Sequence, residues 1–533
     1  MYGKRPTISS LHGVVAAAHP LAAQAGAMSL SSGGNAFDAA AATAAALNVV
    51  EPFMSGLAGL GYATCYIAKT HQVRVLDFVP PVPARLPVAR FRQREDLQRG
   101  ALSVATPGNL AGWAELVRAH GRKSLAEALQ PAIRLASDGF GLAEFGAAEF
   151  NEQMPLLQAH PELFEGWASN YGCASGRVAV GRILRQPHLA RTLERLAVDG
   201  PGQLYGGALG EEIVAHLAKL GGCLSGEDLA AVKPVWKEPL TAAYRAYTIN
   251  SLPPPSEAFQ FLLTLRILER FELAKLTRHG VEHLDTLWRA IRLAAGERIA
   301  NNLPTPERLA RVLSDANVER LVARVADGKP IVGPTEQWTV AAAAGGEQHT
   351  TSFSIADGEG NAVCVTQSLG SPFGSGVVVP NTGVCLNNFL YWADINPASP
   401  NRTRPGGPLP ICMAPSVAMR DGKPAFVLGT PGSYGILQTQ VQAIVQYVDF
   451  GAPLQDAIEQ PRARLWDGRR VEAEARIDPA VLRQLAARGH AVEQGEAWTM
   501  RVGGIQAVAV DPATGLMTGA CDPRRDGYVA TAC

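Results

Sequence analysis

The feature that most constrains this chain is "GGEQHTTSFSIADGEGNAVCVTQS", residues Gly345 to Ser368. Two runs of alternating residues flank an Asp-Gly-Glu-Gly-Asn loop, which predicts an antiparallel hairpin. Immediately upstream lies the low-complexity run "AAAAGGEQ", so a loose segment meets a tightly patterned strand at a Thr-Thr pair. The junction also divides the sequence by texture. Downstream, short alternating strands dominate ("SVAMRDGKPAFVLG", "IQAVAVDPATGLMTGA"), with helices returning only briefly in "ILQTQVQAIVQYVDFG" and "DPAVLRQLAARG". Upstream, residues 10–150 alternate small-residue helices with glycine turns, and residues 180–330 read as mostly helical. In "SLPPPSEAFQFLLTLRILERFEL", Ser256 is a candidate helix cap.

Composition narrows the function classes. At 533 residues with 47% hydrophobic and 18% charged content, the chain is a soluble globular type. Its 48 basic and 48 acidic residues cancel, and no basic block interleaves with aromatics, so no nucleic-acid partner is expected. The most apolar run, "AFDAAAATAAALNVV", contains Asp38 and is too short to span a bilayer, so no membrane partner is expected either. No secretory signal is read at the start, and the eight scattered cysteines show no CxxC pair. The expectation is a cytoplasmic protein with reduced thiols.

Thr350 and Thr351 can be read simply as strand openers, since Thr favours strands. Chemistry suggests more. A threonine hydroxyl is a poor nucleophile without a nearby base, whereas an α-amino group, with a pKa of about 7.7–8.0, is such a base on the same residue. Cleavage between His349 and Thr350 would create that pair, by attack of the hydroxyl on its own preceding carbonyl. This chemistry calls for no cofactor and no metal.

The stretch "TTSFSIADGEGNAVCVTQSLGSPFGSGVVVPNTGVCLNN" resembles the start of the small subunit of γ-glutamyltranspeptidases, which are N-terminal-nucleophile hydrolases. "GVVAAAHPLAAQAGAMSLSSGGNAFDAA", "VVEPFMSGLAGLGYA", "PLTAAYRAYTINSLPPPSEA", "APSVAMRDGKPAFVLGTPGSYG" and "GACDPRRDG" follow the family order along nearly the whole chain. The resemblance implies an α+β four-layer αββα sandwich. It would be formed jointly by a large subunit, 1–349, and a small subunit, 350–533, which stay associated, with a dimer of such heterodimers compatible. It also implies that Thr350 is nucleophile and, through its amine, base. Ser368 would hydrogen-bond the nucleophile, Thr351 and Asn361 would shape the hairpin, and the Gly432 and Ser433 amides would form the oxyanion hole.

The recognition end departs from the family. Where the family has a carboxylate-binding Arg this chain has Val79; the ammonium-binding Gln and Asp are Phe389 and Trp392; the Ser-Ser pair is Ile411 and Cys412; an Asn is Gly370. Each lost charged hydrogen bond removes about 1.5–3 kcal/mol, so a γ-glutamyl zwitterion would not be held. The expected substrate is instead a small carboxylate-bearing amide, oxamate-like, with Arg402 or Arg404 in "SPNRTRPGG" as candidate cation; the alternative for both arginines is a solvated loop. Competing readings are a γ-glutamyltransferase or glutathione hydrolase, a cephalosporin (glutaryl) acylase, and an inactive family member that binds without catalysis. "HGVEH", His279 to His283, imitates a zinc-peptidase pattern, but Gly280 falls inside the supposed metal-binding turn. The cysteines read as packing residues, with Cys412 of interest at a pocket position.

Overall fold

The computed structural model describes residues 5–173, 175–331, 349–399, 401–466 and 468–533. The low-complexity run ahead of His349 lies outside them. Two seven-stranded sheets stack face to face. In the first, Thr351–Asp357 pairs antiparallel with both Gly13–Ala17 and Ala362–Ser368, and Ala362–Ser368 pairs in turn with Leu60–Ile67. Gln72–Asp77 and Val235–Lys237 extend that sheet on one side and Tyr528–Thr531 on the other. The second runs Ile8–Ser10, Met517–Cys521, Gln506–Val510, Lys423–Gly429, Ser416–Arg420, Tyr247–Ser251, Leu240–Tyr244.

Strand alternation sorts the side chains into three cores. Phe353, Ile355, Val363 and Val365 point to an outer helical layer that includes Pro20–Ser31, Ala36–Val50 and Leu125–Asp138. Ala356 and Cys364 point the other way and meet Val417, Val427 and Val508 of the second sheet. Helices Phe259–Leu268, Val281–Ala300 and Ile436–Val448 pack on the far side of that second sheet. The result is the four-layer αββα sandwich.

Small residues make the first helical layer thin. All fifteen residues of Ala36–Val50 are buried, and ten of them are alanine or valine with little side chain to hold the backbone away from the sheet. Asn35 caps this helix, its side chain accepting from the amides of Phe37 and Asp38, and the Asp38 carboxylate returns a bond from the Asn35 amide at 2.9 Å. A Cβ on Gly26 would collide with Thr43 Oγ1, so the two N-terminal helices touch there by virtue of glycine.

Three sequence expectations change. The supposedly helical region 180–330 contains the strands Val235–Lys237, Leu240–Tyr244 and Tyr247–Ser251, because "PLTAAYRAYTINS" turns through Arg245 in a left-handed conformation (φ 54°). Ser256 is not the cap of the next helix, which starts at Phe259 after Ala258. Its hydroxyl accepts from the Ala258 amide (3.1 Å) and donates to the Met413 carbonyl (2.7 Å), tying this helix to the segment after Ile411. Finally, "GVCLNNF" is strand only at Val384–Cys385, and Phe389–Trp392 is a 3-10 turn.

Each side of the 349/350 junction supplies seven of the fourteen described strands in the two sheets, interleaved. Among the described residues no helix is long and apolar enough to cross a membrane. A cut at the junction is therefore expected to leave one native particle. Size-exclusion under native conditions should give a single peak whose denaturing gel shows two bands.

Candidate active site

Thr350 lies one residue ahead of the ladder, whose register begins at Thr351 opposite Gln367. It has the parity of Ser352 and Ser354, so it faces the space between the two sheets, as Ser368 does from the neighbouring strand with Cys364 and Thr366. Both residues are buried, Ser368 fully. The Thr350 hydroxyl turns back onto the carbonyl of His349 and lies 3.2 Å from Ser368 Oγ. Ser368 Oγ accepts from the Gly370 amide (2.9 Å) and stands 3.3 Å from the His349 oxygen. Its proton can therefore be donated to the carbonyl that gains negative charge when Thr350 attacks.

The hairpin is braced from the helical side. Thr351 Oγ1 donates to Glu51 Oε2 at 2.9 Å. Gln367 accepts from the Trp113 indole (2.7 Å) and donates to Ser55 Oγ (2.7 Å). Arg525 donates to the Thr350 carbonyl at 2.8 Å. Burial pushes the Glu51 carboxyl up to about 7, against the pull of Arg525 and the Thr351 hydroxyl. Burial, reinforced by the Arg525 and Arg99 guanidiniums, holds His349 well below the usual imidazole range. A neutral His349 ring then stands with Nδ1 3.8 Å from Glu149 Oε2. Asn361 shapes the turn: its side chain donates to Asp357 (2.9 Å) and accepts from the Ala68 amide (3.0 Å).

Across the inter-sheet space, Lys423–Gly429 runs into "TPGSYG". A Cβ on Gly429 would strike Ser352 Oγ and Cys364 Sγ, which brings that strand end directly over the hairpin. Gly432 (φ 131°) and Ser433 (φ 52°) then form a tight left-handed turn. The Gly432 carbonyl accepts from Arg464 at 3.1 Å.

The substituted recognition positions collect in one place. Phe389, Ile411 and Cys412 are buried in the apolar cluster under the second helical layer, with Val79 and Trp392 packed half-buried against it. Phe389 and Trp392 have ring centroids 5.5 Å apart. Gly370 (φ 100°) abuts the same wall: a Cβ there would strike Asn388 Oδ1 and come within 3.2 Å of the Trp392 ring. Asn388 is fixed by bonds to Ser371 and to the Gln98 carbonyl, so it cannot step aside cheaply. The Cys412 thiol is pushed up to about 12, by burial and then by Glu257, and is no nucleophile.

Arg402 and Arg404 line an open cleft of about 940 Å³ with Leu86 to Arg90, and Thr350 is not among its walls. Sequence reading missed Arg94, whose Nε donates to the Tyr391 carbonyl and whose guanidinium sits 4.3 Å over the Tyr391 ring and 5.7 Å from that of Trp392. In "FRQRED" it looks like one of several solvated charges. Sequence reading also gave no role to Glu149, or to Glu51 and Arg525 inside the stretches "VVEPFMSG" and "GACDPRRDG". His279 precedes helix Val281–Ala300 and His283 lies in its first turn, and the His279 ring meets Gln460 at 3.0 Å.

The family model described as gamma-glutamyltranspeptidase matches residues 22–532. The chain belongs to the γ-glutamyltranspeptidase family. It is 34% identical to the Acylase ACY 1 proenzyme of Pseudomonas sp. (strain SE83), over 98% of this chain and 94% of that one. It is 31% identical to the Glutathione hydrolase proenzyme of Escherichia coli (strain K12), over 97% of this chain and 91% of that one. Among solved structures, cephalosporin acylase from Bacillus halodurans superposes with a TM-score of 0.91 at 28% identity, covering 100% of this chain and 98% of that chain. As a member of this family the chain is an autoprocessing amidohydrolase, made as one precursor that yields two subunits.

Two expected outcomes test the site. Ser368→Ala should slow appearance of the two bands about 10²-fold, the usual cost of one oxyanion donor. Ser433→Gly keeps the backbone amide and removes a left-handed non-glycine residue, so activity should stay and thermal unfolding should report a gain of about 1 kcal/mol.

Proposed function

We propose that this chain cleaves itself at His349–Thr350 and then uses Thr350 to hydrolyse the amide of a small, carboxylate-bearing acyl group. The observation that carries the reading is the Thr350 hydroxyl turned onto the His349 carbonyl, with Ser368 beside both. Thr350 Oγ adds to that carbonyl, the C–N bond breaks with its proton going to the new amine, and water hydrolyses the resulting ester. The freed α-amine next deprotonates the same hydroxyl for attack on substrate. The Gly432 and Ser433 amides, on the turn facing the hairpin, would receive the substrate oxyanion.

The wall supports the reading of the acyl group. Val79, Phe389, Trp392, Ile411 and Cys412 offer no polar handle for an α-ammonium, and Gly370 leaves no room for an asparagine. That favours a small acyl group, of which oxamate is the smallest and a glutaryl amide a longer member. The identity to an acylase proenzyme supports the acylase end of this range over γ-glutamyl transfer. Arg94, stacked on Tyr391 beside Trp392, joins Arg402 and Arg404, which line the cleft with Leu86 to Arg90, as a candidate cation for the substrate carboxylate. All eight cysteines are free thiols, in keeping with a reducing compartment.

The test is a panel of oxamate, glutaryl amides and a γ-glutamyl anilide, read by amine or ammonia release, with Thr350→Ala as control. The expected result is turnover of a carboxylate-bearing amide at least about 10³-fold above the control, which stays a single chain. Rapid release from the γ-glutamyl anilide would overturn the pocket reading. Gly370→Asn, which reinstates the residue a γ-glutamyl site uses, should cost about 1–3 kcal/mol by overpacking against Asn388 and Trp392 and confer no γ-glutamyl activity.

A further inference from the structure

Once the His349–Thr350 bond is gone, the nucleophile has lost its covalent tether on one side and precedes the first ladder pair on the other. Something must keep its hydroxyl and amine aimed into the space between the sheets. We propose that Arg525 is the positioning residue for Thr350, holding it by its carbonyl, with Glu51 and Glu149 as the counter-charges that hold Arg525. The proposal rests on Thr350 being the nucleophile and adds a residue that acts on it without touching substrate.

Arg525 comes from the "DPRRDG" loop that joins Met517–Cys521 to Tyr528–Thr531, on the same side of the junction as Thr350. It is buried, and one Nη1 reaches both the Thr350 carbonyl (2.8 Å) and Met54 Sδ (3.6 Å). Its stem is confined: a Cβ on Gly504 would lie 2.7 Å from Arg525 Cδ. The Phe145 ring covers the guanidinium at 5.6 Å. Burial alone would make this cation unfavourable, and the charges of Glu51 and Glu149 oppose that. Both glutamates lie on the other side of the cut. Glu51 also accepts the Thr351 hydroxyl, so one carboxylate braces the residue after the nucleophile and sets its charge against that of the cation on the nucleophile's own carbonyl. A helix from Glu144–Gln158 delivers Glu149 to the His349 ring as well. The positioning device is therefore complete only while the two fragments remain together.

The experiment follows newly synthesised full-length chain on denaturing gels and then the mature protein's turnover of p-nitrophenyl acetate, whose acetyl group asks little of the recognition wall. Arg525→Met should slow self-cleavage and lower kcat by about 10²-fold with KM within about twofold, the signature of a misplaced nucleophile. Arg525→Lys, which restores a cation, should recover a substantial part of both. Glu51→Gln, nearly isosteric, should lower the same two rates, and the double variant should be no slower than Arg525→Met because the two residues act as one unit. If Arg525→Met does not fold, Glu51→Gln and Arg525→Lys decide. Variants that cleave and turn over at wild-type rates, or a loss confined to KM, would overturn the proposal. A wild-type protein that neither splits nor hydrolyses the ester would instead contradict the nucleophile reading itself.

Discussion

The pairing of Thr351–Asp357 between Gly13–Ala17 and Ala362–Ser368 is the constraint on which the rest depends. A central strand has no freedom of register, because a slip of one residue would turn Phe353 and Ile355 away from the helices and into the other sheet. Once the register is set, alternation sends Thr350 and Ser368 into the same inter-sheet space. The chemistry at the strand mouth is thus a consequence of where two apolar side chains must go. The small-residue helix Ala36–Val50 serves the same end: its thinness lets the Gln367 amide reach the Ala44 carbonyl at 3.3 Å as well as Ser55.

Catalytic and recognition parts are carried by different elements, which is why one can change while the other stays. The hydroxyl pair and its braces belong to the first sheet and the helices behind it. The wall of Phe389, Trp392, Ile411 and Cys412 belongs to a 3-10 turn and to the segment bonded to Ser256 and Glu257, packed under the second helical layer. Aromatic residues replace polar ones there without disturbing the strand pairing. Arg94 comes from a third segment and stacks on the Tyr391 ring of that turn, with Trp392 beyond it.

What the sequence made legible follows from what is local. The hairpin, the capped alanine helix and the glycine turn before Leu60–Ile67 each carry their own pattern, and the family resemblance supplied the αββα architecture and pointed to Thr350 and Ser368, which the fold brings within 3.2 Å. Long-range placement was not legible. Arg525 is hundreds of residues from Glu51 and Glu149 in the chain and comes near them only because the C-terminal loop folds back beside Met54. The strand pair 240–251 gives no strand signal inside the mostly helical region 180–330 because "TAAYRAY" lacks clean alternation, and its burial pattern is set by the helix Phe259–Leu268 that covers it.

The most direct measurement is N-terminal sequencing, with intact-mass determination, of purified protein that is hydrolysing its substrate. The account predicts two termini in equal amount, that of the precursor and a second beginning Thr-Thr-Ser-Phe-Ser. Active protein with a single uncut chain, or with a second terminus at any other residue, would contradict it.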